Sequence, residues 1–213
     1  MSQTRRVAEV PIGDERLEGE LVVPDDASGV VLFAHGSGSS RHSPRNNAVA
    51  ERLREAGLAT FLFDLLTEAE DQNRQNRFDI SLLTTRLVGA THWVEDQPET
   101  SGLDIGYFGA STGAAAALRA ADAPDVDAGA VVSRGGRVDL ASSVAPSLDV
   151  PCLFVVGGED TDVLARNESV FAELTCEKRL EVVEGAGHLF EGPGQLEEVA
   201  TLAAEWFADH LGE

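Results

Sequence analysis

The stretch Asp104-Ile105-Gly106-Tyr107-Phe108-Gly109-Ala110-Ser111-Thr112-Gly113-Ala114-Ala115-Ala116-Ala117-Leu118 decides how the chain is read. Its first five residues form a short apolar segment of the kind buried as a strand. The alanine-rich run from Ala114 to Ala121 is among the strongest local helix signals in the sequence. Between them, Gly109-Ala110-Ser111-Thr112-Gly113 must turn the chain sharply. Glycines two before and two after the serine leave room for a tight, strained turn. Such a turn lifts the Ser111 hydroxyl above the sheet, at the positive end of the following helix. A small-residue turn of this kind also occurs by chance, so the remaining residues must supply the chemistry.

Working outward, the flanking segments alternate in type. Residues 5–11 and 16–24 read as two strands joined by Gly13-Asp14-Glu15, the second an antiparallel edge strand by its apolar–polar alternation. Continuous apolar runs at 30–34, 58–64, 128–133 and 151–156, with 179–183, predict further strands. Helical spacing predicts helices at about 45–56, 79–97 and 163–174, with Leu196, Val199, Leu202 and Trp206 marking a last one. Residues 68–77 read as a polar loop. This alternation implies one α/β domain over residues 1–213, with a mostly parallel twisted sheet of about eight strands and helices on both faces. Too few residues separate Arg137 from the next strand to build a lid domain, so an exposed site and a small, soluble acyl substrate are expected.

In open α/β sheets the site forms at the carboxyl ends of the strands. A serine hydroxyl there needs a base, and the base needs an acid to orient it. His188, in Gly185-Ala186-Gly187-His188 after the last strand, is the natural base among the five histidines. Asp160, in Gly157-Gly158-Glu159-Asp160, is the favoured acid, with Asp162 as its competitor and Asp139 a more remote one. His35 is expected to order its own loop, and His42, His92 and His210 to be peripheral or packed. Two backbone amides must hold the oxyanion. Thr112 supplies one, and Ser37, in His35-Gly36-Ser37-Gly38, the other. This chemistry requires no metal or organic cofactor. Arg41, Arg134 and Arg137 lie near the same strand ends and are candidates for binding a substrate carboxylate or phosphate. Salt bridging to the many nearby acids is their alternative role.

The order Ser111, Asp160, His188 is that of the α/β-hydrolases. Residues 107–116, Val132-Ser133-Arg134-Gly135-Gly136-Arg137 and His188-Leu189-Phe190-Glu191-Gly192-Pro193-Gly194 resemble the dienelactone hydrolase-like branch of that superfamily, over roughly residues 28–211. The resemblance is closest to the small hydrolase domain sometimes fused to phosphoribosyltransferases, although no phosphoribosyltransferase portion is read here. It implies an α/β-hydrolase fold and a serine hydrolase of esterase type. Dienelactone hydrolases proper carry a cysteine nucleophile where Ser111 stands, so their lactone substrate is not implied. An acyltransferase or perhydrolase on the same triad, or a non-catalytic ligand-binding module, are the rival readings.

Composition narrows the partners. The formal net charge is −21, from 37 acids against 16 basic residues, of which Lys178 is the only lysine. Such a surface disfavours nucleic acid and anionic membrane. It is also the kind of surface found in salt-loving organisms, where salt screens self-repulsion. A homo-oligomer is compatible with all of this. No apolar run approaches the roughly 20 residues of a membrane span, and Met1 to Arg6 lacks the apolar stretch of a signal peptide. A cytoplasmic location is therefore expected. Cys152 reads as a buried small hydrophobe and Cys176 as the end of a helical segment, with no disulfide framework.

Overall fold

The structure is a computed structural model and describes residues 2–212. The chain opens with a hairpin, β1 (Gln3–Ile12) and β2 (Glu15–Pro24), then β3 (Gly29–Ala34), α1 (Pro44–Glu55) and β4 (Ala59–Phe63). The short α2 (Glu68–Asp71), the long α3 (Ile80–Glu95), β5 (Asp104–Ala110) and α4 (Thr112–Ala121) follow. The remaining elements are β6 (Ala128–Arg134), β7 (Cys152–Gly157), α5 (Thr161–Glu173), β8 (Lys178–Val183) and α6 (Gln195–His210). All eight strands form one sheet in the order β1-β2-β4-β3-β5-β6-β7-β8. The β1–β2 hairpin and the β2–β4 pair are antiparallel, and every pair from β4–β3 to β7–β8 is parallel.

Burial on both faces explains the continuous apolar strands. Along β5, Tyr107 faces the core beneath α3 and α4, while its neighbour Phe108 faces the core beneath α1 and α6. The strand order reverses at β3, which pairs with β4 on one side and β5 on the other. This switch point opens a crevice at the carboxyl ends of β3 and β5, where ligands bind in such sheets.

Two expectations need correction. Residues 68–77 are not a plain loop: Thr67 and Glu70 form a reciprocal capping box that holds α2, and a single 3₁₀ turn covers Asn76–Phe78. A helix of four residues is too short to show apolar periodicity. The second strand is also not at the sheet edge, since β2 lies between β1 and β4. Its alternation reports one wet face, which an interior antiparallel strand can also have. Cys152 is buried in β7, whereas Cys176 lies beyond the end of α5; both are free thiols. Between β6 and β7 the chain makes only a 3₁₀ helix, Val138–Val144. No helix of the described residues is long and apolar enough to cross a membrane.

One buried polar pair ties α3 to β5. The Thr91 hydroxyl donates to the Leu87 carbonyl at 2.9 Å and lies 2.6 Å from the Tyr107 hydroxyl. Since the threonine proton is committed to Leu87, Tyr107 donates to Thr91. Burial pushes the Tyr107 phenol well above its usual pKa. Thr91→Val, which strands the Tyr107 hydroxyl, should cost about 1–3 kcal/mol in urea unfolding. Tyr107→Phe leaves Thr91 satisfied and should cost less. In the Thr91→Val background, Tyr107→Phe should recover stability; a further loss would show that the hydroxyl pair is not the relevant contact.

Candidate active site

Ser111 sits between β5 and α4 with φ 51° and ψ −120°, a conformation strained for any residue with a side chain. Its surroundings force it there. A Cβ on Gly113 would come within 2.0 Å of the Ala34 carbonyl oxygen, and one on Gly109 within 2.4 Å of the Ala114 Cα. The two glycines thus let α4 press its first turn against the ends of β3 and β5. The backbone is pinned on the other side as well. Ser111 N–H donates to the Arg134 carbonyl at 3.2 Å, and the Ser111 carbonyl accepts from Arg137 N–H at 2.9 Å. The Ser111 side chain is left at the floor of a cleft of about 190 Å³, which His188, Ser37 and Arg134 also line.

His188 lies on the turn after β8, with Nδ1 2.6 Å from Oδ2 of Asp160. Asp160 immediately follows the β7 turn, its N–H donating to the Gly157 carbonyl, so the two strand ends deliver the pair together. A carboxylate at this distance accepts the Nδ1 proton and leaves the lone pair on Nε2. The competitors are placed differently. Asp162 lies exposed in the first turn of α5, and Asp139 accepts a two-pronged bond from Arg137 and a third from Arg166. Those arginines hold the Asp139 pKa below the usual carboxylate range. No Ser111 Oγ–His188 hydrogen bond is among those described. Catalytic contacts of this kind are often long without substrate and tighten in the transition state.

The loop after β3 carries Ser37 to the same cleft. Neither the Ser37 nor the Thr112 amide is engaged in the turn and loop hydrogen bonds of the described residues. The loop is fixed by His35, which is buried. Leu65 N–H donates to His35 Nε2 at 3.0 Å, so the ring proton lies on Nδ1 and meets the Gly36 carbonyl at 3.0 Å. Burial pushes the His35 pKa down. The other histidines stay away from the cleft: His92 faces Asp125 on the surface, and His210 bonds the Trp206 carbonyl.

The three candidate arginines separate. Arg41 is bound to Asp64 and Glu18, and Arg137 to Asp139, the bridging role; neither lines the cleft. Arg134 does line it, is 92% buried by its 8% residual exposure, and has no hydrogen-bond partner at Nε or Nη1 among the described residues. Burial, with the Arg45 charge nearby, pushes its pKa down to about 10, so the guanidinium stays charged at neutral pH. Three residues escaped the sequence reading. Arg45 and Asn46, at the start of α1, line the cleft. Asn167 on α5 is fully buried and donates to the Gly136 carbonyl at 2.9 Å and the Val163 carbonyl at 2.8 Å, anchoring the Arg134–Arg137 loop to a helix. Its signal was present: Val163, Asn167 and Val170 share one helix face, with a polar residue at an apolar position.

An eight-stranded sheet with a serine on a strained strand-to-helix turn, and a histidine–aspartate pair at neighbouring strand ends, is the architecture of an α/β-hydrolase. The dienelactone hydrolase family model matches residues 17–210. The chain belongs to the dienelactone hydrolase family. The chain is similar in structure to a dienelactone hydrolase from Anabaena variabilis, with a TM-score of 0.95, 52% identity, and coverage of 98% of this chain and 99% of that one. Est1E from Butyrivibrio proteoclasticus shares the fold at 14% identity and a TM-score of 0.81, covering 95% of this chain and 98% of its own. Proteins from two strains of Mycobacterium tuberculosis, named as phosphoribosyl transferases, are 54% identical over 96% of this chain. This chain spans 48% of their length, about half.

Two predictions follow the supports of the site. Asn167→Ala leaves the Gly136 carbonyl buried without its donor and should cost about 1–3 kcal/mol. Hydrogen exchange should show added opening at residues 134–137; unchanged protection there would contradict the anchoring role. For His35, the folded pKa lies below the unfolded value of about 6.5. Below that pH the unfolded chain takes up a proton that the folded chain refuses, so stability falls as pH drops from about 6.5. Melting temperature should therefore decline between pH 7 and pH 5, and His35→Gln should flatten that decline.

Proposed function

We propose that the protein is a serine hydrolase that cleaves small carboxylic esters through an acyl-enzyme. One observation carries the reading: the His188–Asp160 pair, at 2.6 Å, opens on the same cleft as the strained Ser111 turn. Ser111 Oγ attacks the ester carbonyl carbon while His188 Nε2 takes the hydroxyl proton. Asp160 holds His188 in the required tautomer and stabilises the imidazolium. The oxygen that gains charge is received by the Ser37 and Thr112 amides, the latter at the N-terminus of α4. Collapse of the tetrahedral intermediate breaks the ester C–O bond, and His188 returns the proton to the leaving alcohol. Water, deprotonated by His188, then attacks the acyl-serine, releasing the acid and restoring Ser111.

Substrate size follows from the cleft. About 190 Å³ is small beside the roughly 300–1,000 Å³ pockets that hold drug-sized ligands. The relatives support the class of reaction: the Anabaena protein is named a dienelactone hydrolase, and a structural neighbour is described as a cold-adapted esterase.

Ser111→Ala and His188→Ala should each lower kcat for p-nitrophenyl acetate by about 10⁴- to 10⁶-fold. Asp160→Asn should cost about 10⁴-fold through the wrong tautomer. A fluorophosphonate should label wild type at Ser111 and not Ser111→Ala. Near wild-type turnover by Ser111→Ala, or a probe that leaves Ser111 unmodified, would refute the assignment.

A further inference from the structure

The cleft's charge runs against that of the chain. Acids outnumber bases 37 to 16 overall, yet among the described residues no Asp or Glu lines this cleft and two arginines do. The helix ends add to the same sign. Ser43 caps the N-terminus of α1, and Ser111 sits at the N-terminus of α4; both helices point their positive ends at the cleft, with no acid in either first turn. The neighbouring depression beyond the oxyanion loop is the opposite: Glu18, Asp64, Glu68 and Asp71 line it with Arg16 and Arg41, and Glu18 and Asp64 bind Arg41.

Arg134 is the decisive side chain. A guanidinium that serves only the fold is bonded to carboxylates or carbonyls, as Arg137 is to Asp139 and Arg86 to Glu70 and the Ile12 carbonyl. Arg134 is more than nine-tenths buried, and two of its three nitrogens have no partner. The Arg45 guanidinium, which lines the same cleft, adds a like charge that pushes the Arg134 pKa further down. Burying an unpaired charge beside a like charge is unfavourable, and such groups are paired in stable structures. An anion in the cleft would give this guanidinium the acceptor that the described residues do not supply.

We propose that the substrate carries an oxyanion, a carboxylate or a phosphate, and that Arg134, assisted by Arg45 at the rim, binds that group beside the ester. This rests on the serine-hydrolase reading and narrows it to anionic esters. Because Arg134 follows Ser133 at the end of β6 and its carbonyl holds the Ser111 amide, its side chain extends from the wall next to the nucleophile. The small cleft then sets the anion within a few bonds of the carbonyl that Ser111 attacks.

The test compares three methyl esters of matched length by pH-stat: methyl butyrate, monomethyl succinate and methyl 3-phosphonopropionate. Wild type should show higher kcat/KM for one or both anionic esters than for the neutral one. Arg134→Gln should lower the anionic-to-neutral ratio about 10- to 100-fold, the range for charge-assisted hydrogen bonds. Arg134→Lys should restore part of it, and Arg45→Gln should lower it by a smaller factor. Calorimetric titration of Ser111→Ala with succinate and with inorganic phosphate reads the subsite without turnover. Tighter phosphate binding identifies a phosphate-bearing substrate, tighter succinate binding a carboxylate, and Arg134→Gln should abolish either. A wild type without anionic preference, or a ratio unchanged in both Arg134→Gln and Arg45→Gln, would overturn the proposal while hydrolysis of methyl butyrate left the serine-hydrolase reading standing. If wild type cleaves no ester, that reading fails by itself, and anion binding by Ser111→Ala still decides the subsite.

Discussion

The contact on which the rest depends is between the first turn of α4 and the carboxyl end of β3. Gly113 lies so close to the Ala34 carbonyl that no other residue fits, and this closeness forces Ser111 into a backbone conformation that only packing can maintain. Strain of this kind costs on the order of 1–3 kcal/mol and persists only where neighbouring structure over-determines it. Here the over-determination is visible as hydrogen bonds. Arg134 and Arg137 grip Ser111 from β6 and the loop after it, Val155 holds Gly135, and Asn167 holds Gly136 from α5. Four elements are therefore engaged in keeping one serine in place. The switch point of the sheet lies at the same spot, so the crevice and the strained turn have one topological origin.

What the sequence discloses about this arrangement depends on how local its cause is. The elbow is legible because both glycines and the serine lie within five residues, and their steric reason acts over that span. Asp160 and His188 are legible because strand ends are recognisable and the sheet brings such ends together; in the structure the two side chains lie 2.6 Å apart. The arginines behave otherwise. Arg41, Arg134 and Arg137 look alike in sequence, each beside a glycine-rich or serine-rich strand end. Their fates differ through partners distant in the chain: Glu18 and Asp64 meet Arg41, while none of the acids among the described residues pairs with Arg134. Asp139 alone lies near enough in sequence to have pointed at Arg137. Arg45 and Asn46 were hidden for a related reason. They occupy the first turn of a helix whose apolar face explains its pattern fully, and only the fold aims that turn at the cleft.

The acidic surface and the basic cleft act over different distances. At physiological ionic strength the Debye length is about 8 Å, so exposed carboxylates farther apart than that scarcely interact. A buried guanidinium is screened much less, because ions and water do not surround it. A net charge of −21 therefore opposes the approach of an anion mainly at long range and low salt, whereas Arg134 and the two helix N-termini act on one that has already entered. On the proposed reading the same charges also serve the chemistry. An anionic substrate that gains further negative charge at its carbonyl oxygen needs positive potential at two points, and α4 supplies one through the Thr112 amide while Arg134 supplies the other. The two points share a wall, since the Arg134 carbonyl holds the Ser111 amide at 3.2 Å. Binding the anion would thus fix the ester relative to the nucleophile through a single rigid strand end, which is how remote binding energy is converted into alignment.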